Sequence, residues 1–270
     1  MISMPEQTVI CNPNPNAGLG NRIICLISSM AIAHKLEANV VINWIPSSKF
    51  RADFTDLFKN NEWETLNLSS EELKAYSDQH PNVEVVNTAK LVTSLEELRK
   101  TPKHWRFKKG NEFDPYTDTQ PEIKNFLLPF FRQLKPVDLV LDEIRSYQHN
   151  LNDDAISMTL RTWRDAKFLQ SRFNINRVYD ILESNPDSQF FLCSDSDEVI
   201  NHLIEKFGSR LLTAPKRTHH GDRNSAIGIQ DALIDVLLVS KTNYMKVSDK
   251  STFSEMGWWF GNCTAQVEVI

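Results

Sequence analysis

Four short segments place polar side chains where an apolar run ends, and each of them could bind an anion or take part in catalysis. The first follows the apolar segment "TVIC" and contains Gly18, Gly20, Asn21 and Arg22. A helix that begins here offers free amides, a positive dipole end and an arginine, which together suit a diphosphate or a polar sugar. The alternative is a glycine-rich turn that only packs the helix on the strand and leaves Arg22 in solvent.

This first loop departs from the common nucleotide-binding motifs. The dinucleotide fingerprint G-x-G-x-x-G requires a glycine where Ile23 stands, and it also expects an acid at the end of the second strand. That strand reads "NVVINW" and contains no carboxylate. The phosphate loop G-x-x-x-x-G-K-[ST] does not occur here either. The sequence therefore argues against a bound NAD.

The second segment is "SMTLRTWRDA", in which Arg161 follows an apolar strand. An arginine at a strand end is well placed for a phosphate, because its planar guanidinium donates two hydrogen bonds at once. The alternative is a structural ion pair between Arg164 and Asp165 or another carboxylate.

The third segment, "FFLCSDSDEV", has two interpretations. Asp195-Ser196-Asp197 matches the D-x-D pattern with which many sugar transferases hold a divalent metal ion. Alternatively, Ser194 or Asp195 caps the helix that follows, and Asp195 accepts hydrogen bonds from a base or a ribose.

The fourth segment, "VSDKSTFSEMGWW", places Ser251, Thr252 and Ser254 at the start of a helix that follows a strand. Hydroxyls and amides at a helix start favour an anion site, although capping alone explains one of the hydroxyls. The histidine pair 219–220 lies in a polar, basic loop and is predicted to be solvated rather than metal-binding.

Composition excludes several classes of protein. The net charge of −5 over 270 residues gives no general attraction to nucleic acid or to an anionic membrane. The four cysteines form no CxxC pair and are predicted to be reduced core residues. Neither a signal peptide nor an integral membrane segment is predicted, so a cytoplasmic location is expected.

The elements that position these segments alternate between strand and helix. A β-α-β unit opens the chain, with a strand at 7–11, a helix at 21–38 and a strand at 39–44. Regular alternation resumes near residue 155 and predicts a parallel sheet whose strands all lead into loops along one edge. Between these regions, residues 122–148 are predicted to form a broken helical segment, interrupted at Pro129 and Pro136, that bridges the halves.

Four segments, taken in order, resemble segments of the fucosyltransferase superfamily: "AGLGNRI", "LRTWRD", "FLCSD" and "ALIDVLLVSKTNYMKVSDKSTFS". That superfamily includes the nodulation and core α1,6-fucosyltransferases, the α1,2-fucosyltransferases and the protein O-fucosyltransferases. The resemblance covers mainly residues 8–44 and 156–260. It implies an α/β protein of GT-B type, with two Rossmann-like parallel-sheet halves facing a cleft. Residues 1–150 would be the acceptor-side domain, and residues 151–270 the nucleotide-sugar-binding domain.

The resemblance also implies an activity and a set of site residues. The activity is inverting transfer of fucose from GDP-fucose to a hydroxyl of a glycan or other acceptor, without a metal ion or other cofactor. Arg161 occupies the first arginine of a His-x-Arg-Arg-type motif and would contact the β-phosphate, while Thr159 and Thr162 replace the histidine and the second arginine. The residues assigned to the donor are Gly20, Asn21, Arg22, Ser194, Asp195, Ser251, Thr252, Phe253 and Ser254.

Two alternatives remain open at this stage. One is a metal-dependent GT-A transferase that uses Asp195 and Asp197. The other is a family member that binds a nucleotide or a glycan without turnover, as the threonines at 159 and 162 suggest. For an active enzyme, Asp165 is the candidate general base because it follows Arg161 closely.

Overall fold

A computed structural model describes residues 7–59, 63–88, 90–101, 114–162 and 173–270. The chain divides into two compact units, Met1–Val137 and Asp138–Ile270. This division falls before the helix at residues 138–147, whereas the sequence placed it after residue 150. The predicted broken segment is therefore two helices with the division between them. Pro129 lies inside the first of these helices and does not interrupt it.

The first unit contains a four-stranded parallel sheet of order β3-β2-β1-β4. Its strands are β1 (Thr8–Cys11), β2 (Asn39–Asn43), β3 (Glu64–Leu66) and β4 (Val83–Val86). Its helices are α1 (Leu19–Leu36), α2 (Phe54–Leu57), α3 (Ser70–Gln79), α4 (Leu95–Arg99), α5 (Pro115–Asp118) and α6 (Pro121–Gln133).

The second unit contains a five-stranded parallel sheet of order β7-β6-β5-β8-β9. Its strands are β5 (Ile156–Leu160), β6 (Phe190–Ser194), β7 (Leu211–Leu212), β8 (Tyr244–Val247) and β9 (Gln266–Val269). Its helices are α7 (Asp138–Tyr147), α8 (Ile175–Ser184), α9 (Asp197–Phe207), α10 (Ala226–Val239) and α11 (Thr252–Phe260). The strand β9 was not predicted from the sequence.

The strands form where the sequence has short apolar runs, because a strand covered on both faces has no side that can be polar. In β5 and β6, Met158, Leu160, Phe190 and Leu192 belong to one buried cluster that includes residues of α8 and α9. In the first unit, α1 buries nearly its whole length, and Ile23, Leu26 and Ile27 are fully excluded from solvent. The sheets are therefore rigid supports for the loops at their ends.

Both sheets change direction beside their first strand. The chain runs outward from β1 through β2 to β3 and then returns to the other side of β1 as β4. In the same way it runs from β5 through β6 to β7 and returns beside β5 as β8. Open parallel sheets bind ligands at such a switch point, outside the carboxyl ends of the strands. Each unit thus has a switch point of this kind, at β1/β4 and at β5/β8.

Candidate functional site

Arg161 stands at the switch point of the second sheet, directly after β5. Its backbone N–H donates to Ser248 Oγ at 2.9 Å, and Ser248 follows β8. The Ser248 hydroxyl donates in turn to the carbonyl of Thr159 at 3.1 Å. These bonds fix the backbone of Arg161 against the neighbouring strand, so the direction in which its side chain leaves the sheet is set by the fold.

The guanidinium of Arg161 forms an ion pair with Asp195. Arg161 Nη1 lies 2.7 Å from Asp195 Oδ2, and the two side chains are 27% and 13% exposed. The other carboxylate oxygen, Oδ1, accepts from the N–H and from the hydroxyl of Thr162, both at 2.8 Å. Asp195 therefore orients Arg161, and the arginine keeps an exposed fraction through which a ligand can contact it. Thr162 acts here as a donor to Asp195.

The segment 194–197 does not use its two aspartates as a pair. Asp195 contacts Arg161, whereas Asp197 Oδ1 accepts from the backbone N–H of His220 at 3.0 Å. The N-cap of α9 is Ser196, whose hydroxyl accepts from Val199 N at 3.4 Å, so the prediction of a cap at Ser194 or Asp195 was wrong by one or two positions. Ser194 Oγ accepts from Ser196 N and shapes the turn.

The segment 251–254 separates into a half-buried and a fully buried part. Ser251 is the N-cap of α11 and accepts from Ser254 N at 3.4 Å. Thr252 and Phe253 are half-buried at the first two helical positions. Ser254 is fully buried and shares a 2.5 Å hydrogen bond with Thr159 Oγ1. The expectation that Ser254 contacts a donor is therefore corrected: it joins α11 to β5 and holds the start of the helix in place.

The helix α11 approaches α10 closely, and this also positions Ser251. A Cβ on Gly257 would lie 2.5 Å from Val239 Cγ1, so only glycine fits at this contact. On the same helix, burial raises the pKa of Glu255 to about 7, although a hydrogen bond from Trp259 Nε1 to Glu255 Oε1 at 3.2 Å favours the charged form. Glu255 was not singled out from the sequence.

In the first unit, Arg22 points inward instead of towards a donor. It is fully buried, and its guanidinium lies 4.2 Å from the centre of the Phe50 ring. Nη2 donates to the carbonyls of Pro15 and Ile45, both at 2.8 Å, and Nε donates to Ala17 O at 3.2 Å. Arg22 therefore holds the loop 13–18 in shape, and the predictions of donor contact and of a solvated side chain are both corrected.

The neighbours of Arg22 in the predicted donor loop have different environments. Gly20 is buried as the second residue of α1, and Asn21 is half-buried in the first turn. Gly18 is the N-cap and supplies no side chain to the free amides of the helix. Asp165, the candidate base, and its neighbours Trp163 and Arg164 lie outside the described residues.

A loop after β7 covers the turn that carries Asp195, and the sequence interpretation missed it. Gly221, with φ of 76°, lies so close to Asp195 that a Cβ would be 2.7 Å from the Asp195 carbonyl. Two buried acids of α10 hold the loop: Asp231 binds Arg217 at 2.7 Å, and Asp235 binds Lys216. Two acids four residues apart in an otherwise apolar helix were the sequence signal that could have revealed this contact.

His220 in the same loop is buried, contrary to the prediction of a solvated histidine pair; His219 is exposed. Burial and the nearby Lys216 lower the pKa of His220, so its imidazole is neutral at pH 7. Within the described ranges, no group of three or more His, Cys, Asp or Glu side chains is placed to hold a metal ion.

Three of the four cysteines behave as predicted, since Cys11, Cys25 and Cys193 are buried free thiols. The fourth, Cys263, is a free thiol that is only half-buried. None of the helices in the described parts of the chain combines the length and the apolar character that a membrane span needs.

Two units, each with a parallel sheet that changes direction beside its first strand, are typical of the GT-B class of fold, and the comparisons with solved structures agree. NodZ α1,6-fucosyltransferase soaked with GDP-fucose superposes with a TM-score of 0.60 at 14% identity, over 95% of this chain and 93% of that one; a NodZ structure comes from Bradyrhizobium. A mutant of Arabidopsis thaliana FUT1 in complex with GDP gives a TM-score of 0.63 at 14% identity, over 99% of this chain and 71% of that one.

POFUT1 in its apo form gives a TM-score of 0.59 at 11% identity, over 100% of this chain and 99% of that one. No protein-family model matches the sequence, and no curated protein matches it either. The chain thus has the GT-B fold of solved fucosyltransferases. The GT-A alternative is wrong, because its architecture differs from these two parallel-sheet units.

Proposed function

We propose that the protein is an inverting glycosyltransferase that moves fucose from GDP-fucose to a hydroxyl group of an acceptor. The observation that carries the proposal is the placement of Arg161 at the β5/β8 switch point, fixed by Ser248 and oriented by Asp195. The fold supports the same conclusion, since NodZ and FUT1 have been crystallised with GDP-fucose or GDP.

The second unit would bind the nucleotide diphosphate. Arg161 supplies a cation for the β-phosphate, and the amides at the start of α11, beside Ser251, Thr252 and Phe253, supply neutral donors. Asp195 and Ser194 line the next strand end, where a base or a ribose can accept and donate hydrogen bonds. Because Asp195 already binds Arg161, the two side chains would contact the nucleotide together.

In the reaction, the bond between the sugar C1 and the β-phosphate oxygen breaks while the acceptor oxygen bonds to C1 from the opposite face. The transition state is oxocarbenium-like, and negative charge builds on the departing GDP. Arg161 is placed to stabilise that charge, so we expect no metal ion to be required. The acceptor proton passes to a base, for which Asp165 remains our candidate.

The decisive experiment compares Arg161→Ala with Arg145→Ala, an exposed arginine of α7 that pairs with Asp142. Arg161→Ala is expected to weaken GDP binding about tenfold and to lower fucose transfer by about 100-fold or more, because it removes a charge-assisted contact to the phosphate. Calorimetry with GDP and a transfer assay with GDP-fucose measure the two effects. Full GDP affinity in Arg161→Ala would refute the site assignment.

Two further outcomes separate the alternatives. Binding of GDP without transfer or donor hydrolysis by the wild-type protein would establish the non-catalytic interpretation. Activity that is lost in EDTA and restored by manganese would contradict the metal-free mechanism. A thermal-shift panel of GDP, UDP, dTDP and ADP tests the nucleotide, since a ligand that binds only the folded state raises its melting temperature. We expect GDP to stabilise the protein selectively.

A further inference from the structure

The loop between β7 and α10 is anchored at both of its ends, and we call its residues 213–225 the strap. Near the start of the strap, Lys216 pairs with the buried carboxylate of Asp235 on α10. At the other end, Ser225 is the N-cap of α10. Both anchors thus belong to one helix, and the middle of the strap extends from that helix to the turn before α9.

The middle of the strap is held on that turn by one hydrogen bond and one backbone contact. The backbone N–H of His220 donates to Asp197 Oδ1 at 3.0 Å. The next residue, Gly221, lies so close that a Cβ would be 2.7 Å from the carbonyl oxygen of Asp195. Asp195 in turn pairs with Arg161. The strap therefore restrains the backbone of the residue that orients the arginine.

The imidazole of His220 is buried in a place that suits only its neutral form. The residue is 9% exposed, and its Nδ1 is a buried atom without a hydrogen-bond partner among the described residues. A neutral imidazole has one N–H and can leave Nδ1 bare, whereas an imidazolium has a hydrogen on both nitrogens. Protonation would therefore create a buried, charged donor without an acceptor, which is costly.

The charges around His220 add to this cost or are already engaged. The groups that act on the ring are Lys216 of the strap, Asp197 of α9, and Asp231 and Asp235 of α10. The strap also carries Arg217, His219, Asp222 and Arg223. The three acids already bind Arg217, Lys216 and the His220 N–H. Burial and the charge of Lys216 outweigh their attraction, so the pKa of His220 lies below its ordinary value of 6.5.

We propose that the strap is a pH-sensitive latch, closed on the Asp195 turn while His220 is neutral and released in its middle when His220 takes up a proton. Release hydrates the imidazolium and separates Gly221 from Asp195. The anchors at Lys216 and Ser225 keep the ends of the strap on α10. The latch operates in the protein without any ligand, so it stands or falls independently of the proposed function.

The direction of the pH effect follows from proton linkage. In the released state His220 takes up its proton near the ordinary pKa of 6.5, and in the closed state only at a lower pH. Between these two values the released state binds more protons, so its population rises by up to about tenfold for each unit that the pH falls. Above this window the ring is neutral in both states, and the strap stays closed.

The test is amide hydrogen exchange of the full chain at about pH 5.5 and about pH 7.5, expressed as protection factors so that the intrinsic pH dependence of exchange is removed. The probes are the strap amides and, as an internal reference, the amides of β5. In the wild type we expect strap protection to be about tenfold lower at the acid pH, with β5 unchanged.

The variant His220→Gln is neutral at both pH values, so its strap should be equally protected at both. The matched control is His219→Gln, because His219 is the adjacent but exposed histidine and its variant should respond as the wild type does. Strap protection that is independent of pH in the wild type would overturn the proposal, and so would an equal loss in β5. A response that persists in His220→Gln would assign it to Asp235, whose pKa is raised by burial, and would also overturn it.

A second measurement covers the case in which His220→Gln releases the strap at every pH. Isotope-labelled imidazoles of the wild type are titrated by NMR, and the resonance that is absent from His220→Gln identifies His220. The latch requires this ring to titrate below 6.5 and strap protection to fall over the same range. Titration at or above that value, or titration without a loss of protection, would refute the latch.

Discussion

The two units place a polar pair at the same position of the same topology, and the pairs differ in charge. In the first unit Asn43 donates to Asn12 across β2 and β1, at a distance of 3.0 Å. In the second unit Asp195 binds Arg161 across β6 and β5, at 2.7 Å. The register is equivalent, because each pair lies one step beyond the matched residues Cys11–Ile42 and Leu160–Ser194.

The difference shows how one sheet topology can serve two kinds of ligand. A parallel sheet brings the first residues after adjacent strands side by side, whatever those residues are. Amides at this position stay neutral and can be buried, as Asn43 is, provided that their hydrogen bonds are satisfied. The guanidinium of Arg161 and the carboxylate of Asp195 instead keep 27% and 13% of their surface exposed, which lowers the cost of removing the two charges from water. The first edge therefore presents neutral amides, and the second presents a charged pair.

The substitution Asp195→Asn tests this difference most strongly, since it replaces the charged partner of Arg161 by an amide like those of the first pair. The variant keeps an oxygen for Thr162 but loses the charge that orients Arg161. We expect kcat/KM for fucose transfer to fall about 100-fold, because hydrogen bonds to charged groups contribute about twice as much as neutral ones and Arg161 would lose its alignment. Steady-state kinetics measure the effect.

The control for this substitution is Asp187→Asn, an exposed aspartate before the amino end of β6. It makes the same chemical change at the other end of the same strand and should leave kcat/KM unaltered. Equal activity of Asp195→Asn and the wild type would show that charge at this pair is unimportant.

The second prediction concerns pH. The pair Asn12 and Asn43 of the first unit has no group that titrates, whereas the second unit contains acidic side chains that do. Glu255 has a pKa of about 7 in the folded protein and an ordinary value of 4.5. Between these values the unfolded chain releases a proton that the folded chain retains, so stability falls as pH rises from about 4.5 to about 7. Below this window the group is protonated in both states and makes no difference.

Glu255→Gln removes this dependence and keeps an oxygen for Trp259 Nε1. We expect the variant to match the wild type at acid pH and to exceed its free energy of unfolding at pH 8 by roughly 1–2 kcal/mol, a value reduced for partial hydration of the carboxyl. Urea unfolding across this range provides the measurement. A constant difference between the two proteins at every pH would contradict the prediction.

The smallest expected effect is that of salt. GDP bound through Arg161 should lose affinity several-fold between low and high ionic strength, because dissolved ions screen partly exposed charges. Calorimetry at a series of sodium chloride concentrations measures this loss for the wild type and for Arg161→Ala, in which GDP affinity should depend less on salt. An equal dependence on salt in the two proteins would contradict a contact between Arg161 and GDP.

Much of the fold follows from local patterns in the sequence. The strands β1, β2, β5, β6 and β8 and their long helices were predicted because apolar runs alternate with amphipathic segments. Two strands escaped prediction: β3 is a three-residue strand and β9 has only a partly buried face, so neither carries a continuous apolar run. The predicted domain boundary came too late, because α7 resembles a continuation of α6 in the sequence.

The positions of the candidate residues in the fold were predictable from the sequence, and the contacts of their side chains were less so. Residues that follow strands, such as Arg161, Asp195 and Ser251, lie at the expected edge because strand order alone brings them there. Arg22 and Ser254 stand in equally polar segments, yet both are buried. A sequence shows that a polar residue begins a helix, but which way its side chain turns depends on neighbours that are distant in the chain, such as Phe50 for Arg22 and Thr159 for Ser254.

The sequence by itself determined where each strand ends and which polar residue follows, because apolar runs and their interruptions are local. Only the tertiary structure decided that these ends form pairs, with Asn12 beside Asn43 and Arg161 beside Asp195. The pairing depends on strand order and register, which arise from the packing of helices and strands far apart in the chain. Asn12 shows the same dependence on distant residues. Its amide oxygen faces Asn43, and hydrogen bonds with Leu68, which lies beyond β3, fix the orientation of Asn43.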